Sequence, residues 1–62
     1  MTQNQIMKKC EIAKEKGEAI LPGGDRIWYD NATKEYSLHS AWRLQTICVT
    51  YKPEYIAQIC AD

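Results

Sequence analysis

The chain has 62 residues, with eight basic and eight acidic side chains and a formal net charge of zero. A chain this short lies near the lower limit at which a core offsets chain entropy without a metal, disulfides or a partner, so one small domain over residues 1–62 is expected and a deep catalytic cleft is not. Zero net charge also removes the global field that draws a protein onto nucleic acid or an anionic membrane.

The opening stretch TQNQIMKKCEIAKEKG predicts a helix over about 3–16. Thr2 and Gln5 have capping-box spacing, and Lys14 and Lys16 place cations in the last turn ahead of Gly17. Ile6, Cys10 and Ala13 form a thin apolar stripe that only Met7 widens. Ile12 falls roughly 240° from Ile6 around the helix, so a single buried face leaves it unexplained and makes it a candidate contact residue. Lys8, Lys9, Lys14 and Lys16 alternate with Glu11, Glu15 and Glu18, which reads as a solvated, ion-paired surface and not as a stripe that tracks phosphates.

Ala19 to Leu21 is a candidate third strand leading into LPGG, whose proline and first glycine suit the centre of a type II turn. The glycines lack the spacing and the trailing lysine and Ser/Thr of a phosphate-binding loop.

RIWYDNATKEYSL then predicts an antiparallel hairpin, and parity fixes its register. An even loop such as Asn31 to Lys34 sets Tyr29 opposite Tyr36 and Ile27 opposite Leu38, gathering four apolar side chains on one face. It also sets Asp30 against Glu35, a small like-charge cost. Trp28 then points to the other face, beside Arg26, Ser37 and His39.

The segment from Ser40 carries two competing patterns. Leu44, Ile47, Cys48 and Tyr51 follow the i, i+3, i+4, i+7 spacing of a helix capped by Ser40, whereas Ile47, Val49 and Tyr51 alternate within a run rich in strand formers. The helical reading is taken, with the strand as the open alternative for residues 44–51. Pro53 suits the first turn of a further helix with Ile56, Ile59 and Cys60 on its buried face. The expected class is therefore α+β: an N-terminal helix, a central hairpin with a candidate third strand, and C-terminal helical segments.

Residues 1 to 35 carry twelve of the sixteen charged side chains. The apolar C-terminal block is thus expected to be mostly buried, with Trp42 in the core, and partly shared with a second copy as a two-fold dimer.

No constellation of catalytic residues stands out. Cys10, His39, Cys48 and Cys60 form the one conceivable zinc set, but no paired-ligand spacing supports it; the cysteines read as small core hydrophobes, and neither metal nor cofactor is expected. The absence of an apolar leader and the odd cysteine count suit a complete small protein in the reducing cytosol. No apolar run is long enough to cross a bilayer, so no membrane partner is expected.

These features point to a protein-interaction module that modulates a larger protein by surface binding, inhibition being one form of it. Trp28, Arg26, His39 and Ile12 are the candidate contact residues, because interface hot spots favour tryptophan and arginine. The alternative is a small nucleic-acid-binding regulator, with Arg26, Lys34 and His39 placing cations beside the Trp28 platform.

Overall fold

A computed structural model describes residues 2–60. In chain order it contains helix α1 (Gln3–Lys16), strands β1 (Glu18–Ile20), β2 (Arg26–Asp30), β3 (Glu35–Ser40) and β4 (Gln45–Thr50), and helix α2 (Pro53–Cys60). The class is α+β, as expected. The strands form one antiparallel sheet in the order β1-β2-β3-β4, with both helices on the same face.

Helix α1 begins and ends where its caps dictate. The Thr2 hydroxyl accepts from the Gln5 amide at 3.2 Å, and the Gln5 side-chain oxygen accepts from the Thr2 amide at 2.9 Å, which satisfies two otherwise unpaired donors. Gly17 stops the helix in the left-handed region at φ 92°, its N–H donating to the Ala13 carbonyl.

The central hairpin has the register that parity requires: Ile27 pairs with Leu38, Trp28 with Ser37, Tyr29 with Tyr36 and Asp30 with Glu35. The Tyr29 and Tyr36 rings lie 4.8 Å apart. Glu18–Ile20 supplies the third strand, pairing Ala19 with Ile27.

The turn between β1 and β2 is not type II. Leu21 accepts from the Gly24 amide and donates to the Asp25 carbonyl, both at 2.8 Å, so three residues span the connection. The left-handed residue is Gly24, at φ 95°, and not Gly23. A three-residue loop puts that conformation at its last position, which a motif with two adjacent glycines does not reveal.

Residues 45–50 are strand and not helix. β4 pairs Leu38 with Cys48 and Tyr36 with Thr50, but His39 with Thr46, so one extra residue bulges between these pairs. Ile47 lines a groove with Ile6, Leu38 and Ile59, while Cys48 packs against the core. Two successive residues of β4 thus face the helices. This doubling imitates a helical i+3, i+4 pair, which is why the spacing of Leu44, Ile47, Cys48 and Tyr51 misleads.

The core joins Ile6, Cys10 and Ala13 of α1 to Ala19, Leu21, Ile27, Tyr36, Leu38, Ile56 and Ala57. The C-terminal block is not mostly buried within this chain: Trp42, Leu44, Ile47, Val49, Tyr51, Tyr55 and Ile59 are all exposed. Trp42 is not core, being 93% exposed on the β3–β4 turn. On α2, Ile56 and Ala57 are buried and Cys60 packs against the core, while Ile59 stays half-exposed.

Candidate partner-binding site on the open sheet face

The face of the sheet opposite the helices gathers three of the four candidate contact residues. Arg26 pairs with His39 across the β2–β3 ladder, and Trp28 lies two residues along from Arg26 on the same face. The Trp28 and His39 ring centroids are 3.7 Å apart at an interplanar angle of 46°.

Glu18 fixes this arrangement from β1. Its Oε1 accepts from the Trp28 indole N–H at 2.9 Å and from the Arg26 guanidinium at 3.3 Å. His39 is held from the other side, where Nδ1 shares a hydrogen bond with Thr46 Oγ1 at 3.0 Å. Trp28 is 40% exposed, so its indole presents apolar surface while its polar edge is satisfied.

A shallow cleft of about 340 Å³ runs beside the rings, lined by Gly24, Arg26, Trp28, His39, Ser40, Ala41, Leu44 and Gln45. Its far wall is the β3–β4 turn, which is pinned at three points. Asp25 Oδ1 accepts from the Ala41 amide at 2.9 Å, the Ser40 hydroxyl accepts from the Arg43 amide at 3.0 Å, and the Ser40 carbonyl accepts from the Leu44 amide at 2.9 Å. The last bond closes a four-residue loop whose final residue, Leu44, has φ 54°. The β2–β3 loop repeats this geometry, with Lys34 donating to the Asp30 carbonyl at φ 65°. A left-handed leucine that is 88% exposed combines backbone strain with unburied apolar surface.

Ile12 is separate from this group. It projects from α1, on the opposite side of the sheet, and is 39% exposed. Lys34 lies in the β2–β3 loop, at the other end of the hairpin from Arg26.

Sequence reasoning missed Leu44 and Trp42 as surface residues. Ser40 was the available signal, since its hydroxyl makes the i+3 bond expected of a helix cap but uses it to close a turn.

The four conceivable zinc ligands are divided by the sheet. Cys10, Cys48 and Cys60 lie on the helix side, and His39 lies on the open face. All three cysteines are free. Burial, followed by the nearby Cys60 thiol and the Glu54 and Glu11 carboxylates, pushes the Cys10 thiol up to about 11. Burial also raises Cys60, with Asp25 and Cys48 adding to it. Both shifts keep the thiols protonated and weakly nucleophilic at neutral pH.

Among the described residues, no helix is long and apolar enough to cross a membrane. Comparison with protein-family models, curated proteins and solved structures finds no match to this chain.

Proposed function

We propose that this protein acts by binding and not by catalysis: its open sheet face docks onto a larger protein and modulates it, for instance by inhibition. The observation that supports this most is the Trp28–His39 pair, held by Glu18 and Thr46 beside the exposed Leu44. A rigid aromatic anchor with satisfied polar edges loses little entropy on binding, and such anchors dominate interface energetics. The free thiols suit a reducing, cytosolic setting. In this reading a second copy of the chain is also a partner, through residues beyond 36.

Nucleic acid is the weaker reading. Arg26 is already paired with Glu18 and the Lys34 cation stands at the far end of the hairpin, so among the described residues Arg43 on the β3–β4 turn is a single cation near the platform and not a track.

Capture of host proteins on immobilised wild-type chain and on Trp28→Ala, at two salt concentrations, tests the proposal. The expected result is a protein retained by wild type at both salts, and bound at least about 30-fold more weakly by the variant, which corresponds to about 2 kcal/mol. Equal retention by a folded Trp28→Ala protein refutes the proposed face. Retained nucleic acid that is lost steeply as salt rises favours the alternative.

A further inference from the structure

The sheet has two edges of different character. β1 is three residues long and carries Glu18, whose carboxylate is engaged with Arg26 and Trp28. β4 is six residues long and contains no charged side chain, within an uncharged run from Leu44 to Tyr51 that is the longest in the chain. Short strands and charges are the ordinary protection of a sheet edge, and β4 has neither. Its bulge at Ile47 kinks one end but leaves Cys48 to Thr50 in regular pairing with β3.

Apolar surface gathers around this edge on both faces. Val49 is exposed on the open face, opposite Ser37. On the other face, α2 lies beside β4 and exposes Tyr55 and Ile59, one helical turn apart, with Ile59 across a groove from Ile47.

We propose that β4 is a homodimerisation edge, where two copies pair antiparallel across a two-fold axis centred on Val49 and so form one eight-stranded sheet. An unpaired strand edge calls for another extended backbone, because its outward amides and carbonyls are matched only by a strand. The absence of charge within the strand selects among partners: its nearest charges are Arg43 and Lys52 beyond its two ends, so a charged peptide finds no complementary side chain along β4 itself, whereas a second β4 centred on Val49 sets neither cation against its own copy. Centring on Val49 sets Cys48 of each copy across from Thr50 of the other, so helix-facing residues meet helix-facing residues and the two α2 helices approach on one side. A standard interface removes about 800 Å² per partner. The chain has 4401 Å² of accessible surface, and α2 packs beside β4, so the edge and the exposed Tyr55 and Ile59 of α2 adjoin.

The proposal rests on the self-association reading above and names its surface. Sedimentation equilibrium at micromolar concentration is the test, using wild type, Val49→Lys, Val49→Glu and an equimolar mixture of the two variants. Val49 is half-exposed, so both variants are expected to keep the wild-type circular dichroism. Wild type should sediment at twice the 7.2 kDa chain mass, each variant alone as a monomer, and the mixture as a dimer again through opposite charges at the axis. A monomeric wild type overturns both the edge and the self-association reading. A dimeric Val49→Lys overturns the edge alone, as does a mixture that stays monomeric. If a variant does not fold, amide exchange of wild type decides: protection of those amides of residues 48–50 that point away from β3, lost on dilution, supports the edge, and concentration-independent exchange of these amides overturns it.

Discussion

On the covered face of the sheet, Ile27 and Leu38 have almost no exposed surface; on the other face their chain neighbours Trp28 and His39 stand in contact with solvent. The two pairs come from the same two strands, one residue apart, so local backbone preference does not separate them. What differs is the means of holding. Ile27 and Leu38 are fixed by the helices packed over them, whereas Trp28 and His39 are fixed by Glu18 and Thr46 reaching across from neighbouring strands. The covered face therefore contributes most of the burial free energy, and the open face is ordered while keeping apolar surface in contact with water. Under the proposed function, this order means that little entropy remains to be lost when a partner docks.

Substitution at adjacent residues is the sharpest way to break this comparison. Ile27→Ala should cost about 2–5 kcal/mol, the range for large-to-small changes at fully buried sites. A chain of this size has roughly 3–9 kcal/mol of stability in total, so Ile27→Ala should lose a large share of it and move the midpoint of a denaturant titration well down. Trp28→Ala removes a larger side chain, yet it should cost less, about 1–3 kcal/mol, because the indole is 40% exposed and gives up only part of its burial with one exposed hydrogen bond and one ring contact. Equal losses at the two positions would mean that the faces are not held differently.

Alkaline pH probes the covered face through Cys10. The Cys10 thiol titrates near its ordinary value of 9.0 in the unfolded chain and is pushed up to about 11 in the fold, so between these values the unfolded state binds fewer protons. Stability should be flat with respect to this group below pH 9 and should fall as pH rises towards 11. Thermal unfolding against pH checks the sign, and Cys10→Ala should flatten the alkaline limb. Cys60 and Tyr36, both raised by burial, add to the fall and leave a residual slope.

The smallest effect belongs to the rim of the open face. Leu44 has φ 54°, a conformation costly for a residue with a Cβ, and Leu44→Gly should gain up to about 1 kcal/mol while weakening partner binding. A gain in thermal midpoint together with a loss of capture would show that strain is retained there for contact. A loss of stability would mean that Leu44 is held by packing instead.

Much of the covered face was legible in the sequence because each signal there is local. Thr2, Gln5 and Gly17 mark the ends of α1, and an even loop with four apolar residues leaves one register for Ile27, Tyr29, Tyr36 and Leu38. Parity also sent Trp28, Arg26 and His39 to a common face. β4 was obscured by its own bulge, since Ile47 and Cys48 break the alternation that identifies a strand. Trp42 was obscured for a different reason. Its apolar neighbourhood in the sequence suggested a core position, and nothing in the chain marks a tryptophan at a turn as exposed until the turn itself is located.

The strand order gives this chain a distinctive route to its fold. Every strand pairs with the next in sequence, so the sheet can assemble hairpin by hairpin with short loops to close and little entropy lost at each step. The α1–α2 contact is of another kind, because it joins the two ends of the chain and can form only after the meander between them has shortened the gap. Folding should accordingly be fast, and its final act should be the meeting of the two helices over a sheet already formed.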